Sequence, residues 1–191
     1  MRRKRKPTSD RELEIMKAMH ATLRGIPRVE VILTDGTFDK VYDILRERLM
    51  FSENNSSFAN IAQNAFIGDV SVRQLMKMDS LDMAAADRAT IVRAIESTEV
   101  DHILVVHGTN TLLKTAEHLS DQFGQDKTIV LTGALRPASY EITEAACNVG
   151  IGLCAARYFP GGVYVAIHGI VSTPDLLRKD EETGRFVLKA T

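Results

Sequence analysis

Short apolar runs along the chain alternate with segments whose apolar residues have helical spacing. The clearest case lies in residues 102–119, where the β-branched run Ile103–Val106 is followed by Leu112, Ala116 and Leu119 on one helical face. This pattern predicts a buried strand that leads directly into a helix.

The same alternation extends over most of the chain, with polar or glycine-containing turns between the segments. Besides the pair above, the predicted strands are 29–33, 70–76, 128–131 and 163–167, and the predicted helices are 9–23, 58–66, 84–95 and 142–156. Strands that alternate with helices predict an α/β fold with a doubly wound parallel sheet of the Rossmann/flavodoxin-like kind. We assign residues 29–191 to this single domain, and residues 1–28 to a basic tail and an amphipathic helix outside it.

Polar side chains follow three of the predicted strands at their carboxyl ends. Ligands bind at this edge of an open α/β sheet, so we expect one pocket to contain Thr37, Ser80, Thr109 and Asn110. A pocket with hydroxyls and few fixed charges suits a small neutral or zwitterionic ligand. Asn110 or Thr111 could instead serve only to cap the helix that follows.

Composition and charge exclude several classes of function. The 191 residues are 45% hydrophobic, enough for a full core, and 24 basic residues balance 25 acidic ones, which argues against a nucleic acid partner. No apolar run approaches the ~20 residues that span a bilayer, and no apolar signal segment follows the basic residues 2–6. We therefore expect a cytoplasmic protein without membrane contact.

Cys147 and Cys154 lie roughly 10 Å apart along one predicted helix, too far to be bridged, and are expected to be reduced core residues.

Several known catalytic patterns do not occur in the sequence. There is no G-x-x-x-x-G-K-[ST], G-x-G-x-x-G or G-x-S-x-G, and no cysteine or histidine pair has zinc spacing. We expect neither a metal nor a cofactor. Hydrolysis would then depend on a hydroxyl nucleophile that a nearby base activates.

At these strand ends the sequence resembles the bacterial-type asparaginase/glutaminase family. Three stretches are similar to its three threonine-containing motifs, in the same order: Val31–Phe38, Val106–Thr111 and Val130–Pro137. The resemblance runs from about Val29 to Phe186 and covers the family's N-terminal domain. The chain ends where the second domain of the family would begin.

The resemblance implies roles for particular residues. Thr37 corresponds to the nucleophile that the substrate's side-chain amide acylates with release of ammonia, and Thr109 and Lys179 correspond to two members of a proton relay. Without the resemblance, Lys179 is typical of a surface lysine. The implied substrate-binding residues are Ser80, Asp79 and Ala134, together with Asn110 and Asp35 at positions that depart from the family.

Those two departures leave two hypotheses open. Asn110 stands where the family has an acidic residue that pairs with the substrate ammonium. Asp35 replaces a glycine of the first motif, where its carboxylate could restore the negative charge that is missing at Asn110, or could block the pocket. The chain is either an amidohydrolase acting on asparagine or a related small amide, or a catalytically impaired ligand-binding or regulatory module. The resemblance also implies that family sites are completed by the second domain of a neighbouring subunit. We expect a homo-oligomer, because the helix and sheet surfaces that such a second domain would cover are left for contacts between copies of the chain.

Overall fold

A computed structural model describes residues 25–34, 36–52 and 56–190. The predicted helix at 9–23 and the basic residues before it lie outside these ranges, so the assignment of residues 1–28 and 29–191 to separate units stays a prediction. Among the described residues, no helix is both long enough and apolar enough to cross a membrane.

A six-stranded sheet forms the centre of the molecule, in the order β4-β1-β5-β6-β7-β8. The first five strands of this order run parallel, and β8 pairs antiparallel with β7. The strands of the described chain are β1 (Val29–Leu33), β2 (Lys40–Asp43), β3 (Arg48–Phe51), β4 (Val70–Gln74), β5 (His102–Val106), β6 (Thr128–Thr132), β7 (Gly162–Ile167), β8 (Ile170–Ser172), β9 (Leu177–Lys179) and β10 (Phe186–Leu188).

Helices cover both faces of the sheet, as predicted. They are α1 (Ser57–Asn64), α2 (Ala85–Glu96), α3 (Leu112–Phe123) and α4 (Ala145–Tyr158), with short 3-10 helices at Thr37–Asp39 and Pro174–Leu176. Helices α2 and α3 pack in one apolar cluster with one face of the sheet, and α1 and α4 pack in a second cluster with the other face. The α/β fold with a mostly parallel sheet is therefore confirmed.

Strand β5 contributes apolar side chains to the clusters on both faces of the sheet. Ile103 and Val105 belong to the cluster of α2 and α3, whereas Leu104 and Val106 belong to the cluster of α1 and α4. Successive side chains of a strand point to opposite faces, so a strand buried on both sides is a continuous apolar run without polar alternation.

The central strands end in register. Leu33 of β1 pairs with Val106 of β5, and Val106 pairs with Thr132 of β6. The turns that follow these three strands therefore start at the same level of the sheet, at its carboxyl edge.

Some elements were not predicted. Residues 40–51 form the antiparallel hairpin β2–β3, which lies outside the central sheet, and three short strands follow β7, which the sequence pattern indicated as the last. Exposed positions such as Tyr42 and Leu49 give the hairpin no clear apolar alternation. The prediction that Cys147 and Cys154 are core residues is wrong, because both lie on the exposed side of α4.

Candidate active site

Three glycines let the turns after β1, β5 and β6 touch one another. We call these the first, second and third turns. A Cβ atom on Gly36 would lie 2.8 Å from the backbone nitrogen of Gly108 and closer still to its Cα, and Gly36 has φ 96°. A Cβ on Gly108 would lie 2.6 Å from Ser80 Oγ, and one on Gly133 would overlap the carbonyl oxygen of His107. Only residues without a side chain allow such close packing of backbone against backbone.

These contacts bring the predicted site residues to one edge of the sheet. Thr37 follows Gly36, Thr109 follows Gly108, and Ser80 packs directly against Gly108. Hydrogen bonds hold the first two turns together, since the Thr34 amide and hydroxyl both donate to the carbonyl oxygen of Val106 at 3.0 Å. The sequence pattern predicted this gathering from the position of each residue after its strand.

Lys179 reaches the second turn from β9. Its Nζ donates to Thr109 Oγ1 at 3.4 Å and to Asn110 Oδ1 at 3.0 Å. The Phe186 ring of the paired strand β10 lies 5.9 Å from the same nitrogen. Lys179 is half-buried, and this burial lowers the pKa of its amine below the ordinary value of 10.5. An amine with a lowered pKa in contact with a hydroxyl can take up a proton from it.

Asp79 is held by a lysine that the sequence analysis did not identify. Lys40 Nζ lies 2.6 Å from Asp79 Oδ2, and the backbone amide of Leu81 donates to Oδ1 at 3.1 Å. The hydrogen bond with Lys40 is the main reason why the pKa of Asp79 is lowered, while partial burial opposes the shift. This ion pair ties the β2–β3 hairpin to the turn that carries Ser80.

The third turn is fixed by α4. Asn148 donates to the carbonyl oxygen of Gly133 at 2.9 Å, and Glu144 accepts a short hydrogen bond from the backbone amide of Leu135. Ala134, between these two bonded residues, is buried. Asp35, the remaining candidate, lies outside the described residues.

A buried polar network supports the second turn from behind. Arg88 Nε donates to Thr115 Oγ1 at 3.1 Å, and Thr115 Oγ1 lies 3.0 Å from His107 Nε2. His107 Nδ1 lies 2.8 Å from the carbonyl oxygen of Gly108, which only accepts, so the imidazole proton is on Nδ1. The network therefore links helix α2 to the Gly108 turn through a neutral histidine.

The same arginine also contacts the turn of Ser80. Arg88 donates to Thr111 Oγ1 at 3.1 Å, and the Thr111 hydroxyl donates to the Ser80 carbonyl oxygen at 2.9 Å. Arg88 was missed by the sequence analysis, although a signal was present. It shares its helical face with Ile91 and Ile95, three and seven residues later, where a charged side chain must be buried or bend away from the core.

His107 predicts a pH dependence of stability. The pKa of His107 is lowered to about 4, mainly by burial and also by the nearby Arg88 charge, while the hydrogen bond to Gly108 opposes the shift. Between pH 6.5 and pH 4 the unfolded chain binds a proton that the folded chain does not, so stability falls as the pH falls. We expect the free energy of unfolding to drop by roughly 3 kcal/mol across this window through His107 alone.

Urea unfolding at pH 7 and pH 4.5 measures this effect in the wild type and in His107→Gln. Carboxylates titrate in both proteins, so their contribution cancels in the comparison. The variant should lose less stability on acidification than the wild type. An equal loss in the two proteins would contradict the assignment of the effect to His107.

The described residues offer no evident metal site. Within residues 25–34, 36–52 and 56–190, no three His, Cys, Asp or Glu side chains are grouped closely enough to hold an ion. The contact between the Lys179 amine and the Thr109 hydroxyl permits proton transfer between these two groups.

Two curated proteins illustrate what the chain is similar to. A subunit of the glutamyl-tRNA(Gln) amidotransferase of Archaeoglobus fulgidus is 27% identical over 154 residues, which cover 78% of this chain and 36% of that protein. The L-asparaginase of Thermococcus kodakarensis is 33% identical over 100 residues, which cover 51% of this chain and 30% of that protein. The chain thus spans about a third of the length of these curated relatives.

Solved structures share the fold. The thermostable L-asparaginase of Thermococcus kodakarensis superposes with a TM-score of 0.72 at 26% identity, covering 84% of this chain and 51% of that one. L-asparaginase I of Vibrio cholerae superposes with a TM-score of 0.75 at 20% identity, covering 86% and 52%. The second similarity is one of fold alone.

The resemblance of the three motifs is confirmed along most of the chain. Residues 28–186 match the family described as asparaginase, N-terminal. This range includes all the strands of the central sheet and every candidate residue of the site. The chain therefore belongs to the asparaginase N-terminal domain family.

Proposed function

We propose that the chain is an amidohydrolase that releases ammonia from a small amide through Thr37. The observation that carries the proposal is the contact of the Lys179 amine with Thr109 Oγ1. Thr109 lies on the turn whose Gly108 packs against Gly36, the residue before Thr37. A nucleophilic hydroxyl needs a base within reach, and a lysine with a lowered pKa is such a base. Membership of the asparaginase family supports this class of reaction.

The proposed reaction has two steps. The Thr37 oxygen attacks the amide carbon, and its proton passes through the Thr109 hydroxyl to Lys179. The C–N bond then breaks as the amide nitrogen takes this proton back along the same path and leaves as ammonia. Water then hydrolyses the ester on Thr37 and restores the hydroxyl. Ser80 and Ala134 would contact the substrate, and the Lys40–Asp79 pair would hold the Ser80 turn in place.

A second candidate is a ligand-binding or regulatory module without catalysis. The observation that favours it is that Lys179 is paired with the neutral amide oxygen of Asn110. A carboxylate at the same place would make the Lys179 amine more basic. Such a module would bind a small molecule and release no ammonia from it.

Three further expectations also stay proposals. A homo-oligomer would use exposed surfaces such as the outer side of α4, where Cys147 and Cys154 lie. The partner is expected to be a small amide or amino acid, and the location cytoplasmic. The name of the Archaeoglobus fulgidus relative describes it as a subunit, which supports assembly with other chains.

Replacing Lys179 tests the proposed base. The amine acts as a base only when neutral, and a lowered pKa raises its neutral fraction at any pH below 10.5. Ammonia release should therefore rise with pH between 6 and 9 in the wild type. Lys179→Met should lose about 10²- to 10⁴-fold in kcat/KM together with this rise.

The measurement is kcat/KM for ammonia release as a function of pH, with asparagine, glutamine and succinamate as substrates. Lys114→Met, which removes an exposed lysine on α3, is the matched control and should behave as the wild type. Full activity of Lys179→Met would contradict the assignment of the base. Ammonia release from none of the amides by the wild type would favour the binding module.

A further inference from the structure

The amide group of Asn110 has a fixed orientation. An ammonium group only donates hydrogen bonds, so the atom that Lys179 contacts at 3.0 Å must be the oxygen of the Asn110 amide. The Nδ2 amino group then points away from Lys179. Asn110 is exposed, and Nδ2 therefore presents two N–H donors to whatever occupies the edge of the site.

Three carboxylates of neighbouring segments already have partners. Asp79 is paired with Lys40, and Asp180 is bound by Arg178 and by Thr183. Glu144 accepts from the backbone amide of Leu135. Among the described residues, Lys179 itself forms no ion pair.

A ligand at this edge therefore meets hydrogen-bond donors and a positive charge. A ligand ammonium would face the Lys179 cation and the N–H groups of Asn110, and both contacts are repulsive. A ligand oxygen would accept from Asn110 Nδ2, and a ligand carboxylate would also be attracted by Lys179.

We propose that the site selects amides that carry a carboxylate but no free ammonium on the neighbouring carbon, the class of dicarboxylic acid monoamides such as succinamate. Turnover of such a molecule rests on the proposed function, whereas its binding does not. Hydrolysis would consume one water and yield ammonia and the dicarboxylate. Free amino acid amides such as asparagine would be the poorer ligands.

Succinate and L-aspartate provide a matched pair of probes, because they differ only by the ammonium group. Titration calorimetry with the full chain should give succinate a Kd at least about 10-fold lower than that of L-aspartate. Asn110→Asp keeps the shape of the side chain but turns the Nδ2 donor into an acceptor oxygen. The preference should then shift by about 10- to 100-fold toward L-aspartate.

Asn60→Asp is the control, because it adds the same charge at an exposed position of α1. It should leave the preference of the wild type unchanged. Asp35→Asn and Glu144→Gln each remove one more carboxylate from the chain segments of this edge, and they too should leave succinate preferred.

Two results would overturn the proposal. One is tighter or equal binding of L-aspartate by the wild type, whether or not Asp35→Asn or Glu144→Gln abolishes it. The other is binding of neither probe at millimolar concentration. Measurements of ammonia release separate this proposal from the proposed function. If succinate binds better than L-aspartate but succinamate yields no ammonia, only the proposed amidohydrolase activity is refuted. If ammonia is released faster from asparagine than from succinamate, only the proposed selectivity is refuted.

Discussion

Thr37→Ala is expected to abolish ammonia release from every amide that the wild type hydrolyses. Removing a nucleophile eliminates the covalent route, and we expect a loss on the order of 10³-fold or more in kcat. Ligand binding should change little, because the side chain loses only a hydroxyl and a methyl group. The measurement combines initial rates of ammonia release with calorimetric titration of the same ligand.

Controls distinguish loss of the nucleophile from loss of the fold. Thr37→Ser keeps a hydroxyl and should retain activity, whereas Thr90→Ala removes a hydroxyl that only bonds within α2 and should behave as the wild type. Thr109→Val should lose activity through the relay while Thr37 remains able to carry an ester. Mass spectrometry that located the ester on Thr109 would reverse the roles of the two threonines.

The sequence predicted the sheet and the edge of the site for a simple physical reason. A strand buried on both faces must be continuously apolar, and a polar turn must follow where the backbone leaves the core. The turns of Thr37 and Thr109 were therefore located from local pattern alone, whereas Ser80 follows the edge strand β4, which only alternates loosely. Their roles in catalysis came from the resemblance and stay predictions.

Other parts of the site depend on contacts between distant segments, which no local pattern reveals. The Lys40–Asp79 pair joins residues 39 positions apart across a hairpin with exposed side chains. Lys179 reaches Asn110 from a three-residue strand 69 positions later. Asp35 was predicted beside the ligand, and no described residue tests that position.

The buried network of Arg88 and His107 illustrates a third case. A charged residue within an apolar helical face is visible in the sequence, but its partners are hydroxyls and carbonyl oxygens on other elements. Burial of such a charge is tolerated only when hydrogen bonds replace its hydration. The sequence shows that a charged side chain lies on a helical face that should be buried, and only the fold shows which groups hydrogen-bond to it.

Gly36→Ala should destabilise the whole domain, because this glycine meets two requirements at once. Its backbone has φ 96° and ψ −157°, a conformation that residues with a side chain rarely adopt, and an added Cβ would overlap the backbone of Gly108. Backbone atoms of a strand end cannot rotate away as a flexible side chain can. Strain and overlap together should reduce the free energy of unfolding by on the order of 4 kcal/mol, which lowers Tm by about 10 °C in a domain of this size.

Gly150→Ala provides the matched comparison on α4. A Cβ at this position has no neighbouring atom within 4 Å, and alanine favours a helix interior by roughly 0.5 to 1 kcal/mol over glycine. Thermal unfolding should therefore move in opposite directions in the two variants, down for Gly36→Ala and slightly up for Gly150→Ala. If Gly36→Ala unfolded at the temperature of the wild type, the first and second turns could not be packed as described. The contact that places the turn of Thr37 against the turn of Thr109 would then be lost, and the proposed proton path with it.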